Sequence, residues 1–326
     1  MRQNNSYVIT SNKRLAYIDV SKSICIFLMI IGHWTNNEIL LTYIYSFHMP
    51  ALFVISGILY KPRRWYKTII SLAVPVFFYS FVNLVLLLFT KKLPLESLLT
   101  KDTFFRFFHY RYGMETGTLF CGDWFIWVLL ALRFLGGDIP FLKFFSKYYI
   151  YLALIAIGYM TFESYLINVD VLFHGWFIGK MVPCMPFFCL GFYLKEASWN
   201  PTKFTIKLVA FLLILSIFIP IINGKCGILE TQYGLSYILF AINAIAASLL
   251  LLSFSNCISS SCFFTVISKG TLLILGLHMP IMELLDRICP DYLDFLIPIF
   301  VLLVCYYPIV LFDRWCPLLL GKLNRL

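Results

Sequence analysis

Polar residues in this chain come in short clusters separated by long apolar stretches. The stretches run to about 18–25 residues, long enough for a helix to cross a hydrocarbon core ~30 Å thick. Ten of them fit the pattern, at about 15–34, 43–60, 68–90, 119–136, 148–166, 175–194, 204–223, 234–254, 263–282 and 295–315. The fourth, "LFCGDWFIWVLLALRFLG", is the weakest, being short and holding Asp123. The pattern predicts an all-α, polytopic integral membrane protein with about ten transmembrane helices. It forms a single membrane-embedded domain over residues 1–326, with no room for a separate soluble domain.

Composition agrees. Of the 326 residues, 61% are hydrophobic, 18% aromatic and only 13% charged, whereas soluble domains carry roughly 25% charged residues. The net charge of +10 is mostly an orientation signal. With the N-terminus cytoplasmic, the basic segments fall inside, "KPRRWYK" (61–67) most clearly, followed by Arg133, Lys143, Lys147, Lys195, Lys207, Lys269, Arg314 and Lys322. The outward segment 91–118, with Lys91, Lys92, Lys101, Arg106 and Arg111, is the exception. Dropping the fourth span would invert everything after it. Both termini are then cytoplasmic, the bilayer explains the basic balance, and no nucleic-acid partner is implied. The first apolar run holds Asp19 and Lys22 and lacks a small-residue cleavage site, so it reads as a membrane helix and not a removable signal. There is no low-complexity tract and no evident internal repeat. The ten cysteines lie mostly inside spans, where they act as small packing residues; no spacing suggests zinc, and no metal is expected.

Ionisable residues at membrane depth are expensive and face a protein interior or a polar cavity. In "YIDVSKSICIFLMIIGHW" (17–34), Lys22 and His33 are eleven residues apart, three helical turns plus ~20°, and Asp19 lies on the same side. This is one polar stripe on an apolar helix. The topology puts all five histidines towards the outer side: His33 ends the first span, His48 opens the second, and His278 lies near the outer end of the ninth. His109 and His174 belong to outward segments. Three membrane histidines at one depth point to a shared chamber, although any one of them has a structural use as a packed ring bonded to a carbonyl.

The opening "RLAYIDVSKSICIFLMIIGHW", with "YSFHMPALFVISGILYKPRRWYKTIISLAVP" after it, resembles membrane acyltransferase family 3, particularly its fucose 4-O-acetylase-like members. "DWFIWVLLALR", "MPFFCLGFYLK" and "GTLLILGLHMPI" follow in order, so the likeness covers nearly the whole chain. The resemblance implies transfer of an acyl group, chiefly acetyl, from acyl-CoA to a hydroxyl of a cell-surface glycan or its lipid-linked precursor. It also implies a bacterial inner membrane and no bound cofactor beyond acetyl-CoA or another acyl-CoA as co-substrate. The family motif of a basic residue, ten residues and His is Lys22-x10-His33 here. Lys stands for the commoner Arg, which keeps the charge but loses the planar fork. Some members carry a C-terminal esterase-like domain; this sequence ends after the tenth span, which implies action alone or with a partner.

The chemistry assigns roles. A sugar hydroxyl needs a base near pKa 7, which neutral imidazole supplies. His33 is the first candidate, as base or as acyl carrier, and His48 the second. Arg63, Arg64 and Lys67 can meet the donor's phosphates, or only set orientation. Lys22, about 16 Å along the helix from His33, can guide the anionic donor, with Asp19 holding it charged; alternatively Asp19 and Lys22 merely satisfy each other. His278 and Glu283 offer a second base and an orienting carboxylate. Arg106 and Arg111, in "FFRFFHYRYG", can meet acidic sugars or a diphosphate, or anchor an interfacial segment. Ser56-Gly57 reads as a close helix contact, and Trp124, Trp127 and Trp176 as interface anchors. The competing function is a glycan or lipid-linked-sugar exporter without acyl transfer, and a glycan polymerase ranks below it.

Overall fold

The computed structural model describes residues 16–89, 123–165, 177–201, 204–259 and 261–323. It is a bundle of twelve described helices: α1 (Ala16–Trp34), α2 (Glu38–Tyr45), α3 (His48–Ile58), α4 (Trp65–Phe89), α5 (Asp123–Arg133), α6 (Tyr149–Tyr165), α7 (Phe177–Glu196), α8 (Ile206–Asn223), α9 (Tyr237–Cys257), α10 (Cys262–Lys269), α11 (Thr271–Ile288) and α12 (Ile297–Trp315). The described residues include one small sheet, an antiparallel pair of two-residue strands, β1 (Cys226–Gly227) and β2 (Gln232–Tyr233), between α8 and α9. Arg106 and Arg111, with His109, His174 and Trp176, lie outside the described residues.

Six segments are long and apolar enough to cross a bilayer: Ala16–Trp34, Glu38–Ile58, Trp65–Leu86, Ile206–Asn223, Tyr237–Cys257 and Asp291–Trp315. Two bent pairs bring the number to eight: Trp124–Asp138 with Pro140–Lys147, turning by 78°, and Cys262–Lys269 with Thr271–Ile288, turning by 85°. By that measure the ten spans expected from hydropathy are not reached among the described residues. Helix α6 is only 17 residues long, and α7 carries Lys180, Lys195, Glu196 and two prolines. The ninth span, expected straight over 263–282, breaks at Gly270 and its long arm runs from Thr271 to Ile288. Gly270 lies against α12 so closely that a Cβ there would stand 2.1 Å from Ile309 Cδ1.

Polar side chains set where helices start and stop. Asn37, Thr205, Ser236 and Ser261 cap α2, α8, α9 and α10, each accepting a bond from an otherwise orphaned amide of the first turn. Between α2 and α3 the chain breaks at Ser46 and Phe47. Ser46 Oγ donates to the Tyr43 carbonyl at 2.7 Å and accepts from Asn243 Nδ2 at 2.8 Å. Where a proline removes an amide, a neighbour fills in: Pro280 cannot donate to Gly276, and Asn83 of α4 donates to that carbonyl at 2.8 Å.

Packing is closest between α3 and α7. A Cβ on Gly57 would stand 2.2 Å from the Phe188 carbonyl oxygen, and one on Gly191 would stand 1.9 Å from that of Val54. Only two glycines permit this approach, which is how helices associate where the solvent is itself apolar. The opposite case is α8, whose Ile206, Phe211, Ile214, Phe218, Ile221 and Ile222 are all exposed; this apolar face suits lipid and not water. Replacing Gly191 with Leu is expected to cost about 3 kcal/mol of stability, because backbone opposes the new side chain. Gly158→Ala, where a Cβ meets nothing within 4 Å, serves as the unaffected control. Thermal unfolding midpoints in detergent check this; equal midpoints for the two variants would contradict it.

Candidate functional site

Three histidines from three helices meet at one end of the bundle. His33 reaches this end as the penultimate residue of α1, His48 is the first residue of α3, and His278 lies in the middle of α11. Gly32 permits the approach of α2: Tyr45 Cε1 would be 3.2 Å from a Cβ there, and Tyr45 Oη donates to the Gly32 carbonyl at 2.8 Å. The Tyr45 and His48 ring centres are 5.4 Å apart, and those of His33 and His278 are 5.1 Å apart at 45°. All three line a cavity of about 580 Å³, counting its open mouth, together with Met29, Tyr45, Trp124, Leu275 and Glu230.

The histidines differ in environment. His48 and His278 are buried and His33 is exposed. His48 Nδ1 lies 2.7 Å from the Ile44 carbonyl, beside the break between α2 and α3. His278 Nδ1 lies 2.9 Å from the Ile274 carbonyl and 3.1 Å from that of Leu275. A carbonyl only accepts, so each Nδ1 carries the proton, and in the neutral ring each Nε2 is a bare lone pair. His278 Nε2 is buried with no hydrogen-bond partner among the described residues.

The other residues of the polar stripe are at the opposite end. Lys22 Nζ donates to the Ser268 carbonyl at 2.9 Å, and Ser268 Oγ donates to Asp19 Oδ1 at 2.7 Å. The two charged residues thus meet at the last turn of α10, next to the 85° bend. Close by, Lys269 and Lys322 both reach Asp313, at 2.7 Å and 2.5 Å.

At this same end a second cluster surrounds Asp138, which sequence reasoning passed over. Its carboxylate accepts four bonds: from Tyr60 Oη at 3.1 Å, the Arg63 amide at 3.0 Å, Thr68 Oγ1 at 2.6 Å and Arg133 Nε at 3.1 Å. The Arg63 guanidinium donates to Thr68 Oγ1 at 2.9 Å and to Ser71 Oγ, while Arg64 and Lys67 are exposed. Lys195 Nζ donates to the Tyr60 carbonyl. Burial, with the Arg133 charge alongside, pushes the Arg63 guanidinium down to about 10 although Asp138 opposes the shift. One carboxylate therefore ties together a cationic end that exceeds it in charge.

The expected site residues thus divide into two groups. His33, His48 and His278 share a cavity; Asp19, Lys22, Arg63, Arg64 and Lys67 lie at the other end. Glu283 belongs to neither, being paired with Arg287 at 2.7 Å along the side of α11. Trp124, read as an interface anchor, is buried on the cavity wall. Glu230 had no signal in the sequence, since the hairpin that carries it falls between two apolar runs. Asp138, in "RFLGGD", was visible as an acid after an apolar run, but its partners are distant in the chain.

Asp138→Asn is expected to destabilise the protein by about 3 kcal/mol, because Arg63 and Arg133 lose the buried counter-charge they share among the described residues. A lowered unfolding midpoint in detergent, with His33→Gln unchanged as control, checks this. An unchanged midpoint for the Asp138 variant would show that the cluster is not held by its carboxylate.

A family model described as an acyltransferase domain matches residues 15–312, nearly the whole chain. No curated protein and no solved structure matches it. The membrane-spanning helices and this match together make it a multi-pass membrane acyltransferase, and the chain belongs to membrane acyltransferase family 3.

Proposed function

We propose that the protein moves an acetyl or similar acyl group from acyl-CoA to a sugar hydroxyl of a cell-surface glycan or its lipid-linked precursor, in a bacterial inner membrane. The observation that carries this reading is the cavity shared by His33, His48 and His278, two of them with the tautomer fixed by backbone carbonyls. His278 Nε2, a bare acceptor beside His33, would hold the proton of the nearer His33 nitrogen and leave the farther one as the base. His33 then takes the proton of the acceptor hydroxyl as its oxygen attacks the thioester carbonyl. The carbon–sulfur bond breaks, and the proton passes to the departing thiolate of CoA. Direct transfer suits His33 better than an acyl-enzyme, since a base needs only proton contact with the hydroxyl at the cavity mouth.

The donor enters from the other end. The excess of Lys and Arg there supports the reading that this end is cytoplasmic, with both termini expected on the same side. Acyl-CoA is a polyanion, and Arg64 and Lys67 are exposed beside the Asp138 cluster, where they can meet its phosphates. Lys22 lies about 16 Å along α1 from His33, a distance that the thin pantetheine arm can cover. The exporter reading accounts for a polar chamber but not for membership of an acyltransferase family.

The test supplies membranes with radiolabelled acetyl-CoA and follows label into extracted glycan and glycolipid. His33→Ala at matched expression is expected to lower the rate by about 10²–10⁴-fold, the usual contribution of a general base. Undiminished label in the variant would remove His33 from the mechanism, and no label with wild type would count against acyl-CoA as donor.

A further inference from the structure

The histidine cavity has a fourth ionisable wall that the acyl-transfer reading leaves without a role. Glu230 sits at the tip of the β1–β2 hairpin and lines the cavity with the three histidines. Its side chain is exposed and makes no hydrogen bond or ion pair among the described residues. The carboxylate is folded back over the bare Cα of Gly227, another lining residue: a Cβ there would stand 2.1 Å from Glu230 Oε2.

The hairpin is held firmly enough to present a group in a fixed place. Asn223, at the end of α8, donates to the Tyr233 carbonyl at 2.8 Å and accepts from the Ser236 amide at 3.0 Å. Gly234 has φ +70°, and a Cβ there would stand 2.1 Å from the Asn223 carbonyl oxygen, so this turn needs glycine. Lys180, buried in α7, donates to the carbonyl of Leu229, next to the tip. Among the described residues at this end, Glu38, Asp286, Asp291 and Asp294 are exposed, against Lys225 and Arg287.

We propose that Glu230 is an acceptor-binding residue that restricts the acceptor at the histidines to uncharged, hydroxyl-rich sugars. A carboxylate accepts hydrogen bonds and cannot donate them, so its natural partners are hydroxyls, and two oxygens suit a vicinal pair. An acidic sugar in the same place would bring a second anion against it. This rests on the acyl-transfer reading, because it takes the cavity to be the acceptor site.

The test uses diethyl pyrocarbonate, which modifies accessible neutral imidazole, with carbethoxylation of His33 in the full-length detergent-solubilised protein quantified by mass spectrometry. The probes are a mixture of the methyl glycosides of glucose, galactose and mannose, and the matching mixture of methyl uronides. Acetyl transfer from radiolabelled acetyl-CoA into glycan is followed on membranes from the same cells. The neutral mixture is expected to protect His33 in wild type at concentrations about tenfold lower than the uronides. Glu230→Gln narrows that gap to within about twofold, and Glu230→Lys reverses it. A purely structural Glu230 would not alter the preference between the two mixtures. Equal protection by both mixtures, protection by neither, or a gap unchanged in Glu230→Gln overturns the assignment while acetyl transfer stands. Absence of acetyl transfer in wild type overturns the acyl-transfer reading, and this one with it.

Discussion

Inside a hydrocarbon core a polar group has no water to bond, so every one that is kept there must find its partner within the protein. That constraint shapes this bundle more than any other. The break between α2 and α3 is tolerable because Ser46 Oγ and the His48 ring take up the carbonyls of Tyr43 and Ile44, while Asn243 donates to Ser46 Oγ. The proline in α11 is tolerable because Asn83 reaches across from α4 to the carbonyl it orphans. The same rule makes the buried Nε2 of His278 conspicuous, since it has no partner among the described residues and belongs to a ring that lines a cavity. In such surroundings an unanswered lone pair is a place for a proton donor, which is what a base, or the residue that orients one, requires.

The charged groups divide between the two ends. At one end, Asp138 gathers Tyr60, Arg63, Thr68 and Arg133, and Asp19 and Lys22 converge on Ser268 at the bend between α10 and α11. At the other end, three histidines and a carboxylate surround an open cavity. The polar stripe of α1 joins the two ends, with Lys22 in the first and His33 in the second. A polyanionic donor and a neutral acceptor suit such a division, because a long donor can have its phosphates at one end and its reactive carbon at the other.

Much of this was legible in the sequence. Apolar length alone predicted the helical membrane class, and helical spacing placed Lys22 and His33 on one side of α1. The three histidines were grouped from topology, since alternate spans run in opposite directions and put residues at their outer ends at one depth. What remained hidden depends on the third dimension. The bend at Gly270 is set by the contact of that residue with Ile309, 39 positions away, and a hydropathy plot reads straight through it. Glu283 is near His278 in the chain but pairs with Arg287, and a carboxylate that does line the cavity is Glu230, brought in by a hairpin with no periodic pattern. Asp138 lies on a bent segment after the weakest span, and its partners come from 60–68 and 133.

In the proposed reaction a donor held at the basic end presents its acyl carbon to the histidines at the other. A structure with a non-hydrolysable thioether analogue of acetyl-CoA bound measures this most directly. The expected result has the analogue's carbonyl among His33, His48 and His278 and its phosphates near Arg64 and Lys67. An analogue lying wholly at one end, with its carbonyl remote from all three histidines, would contradict it.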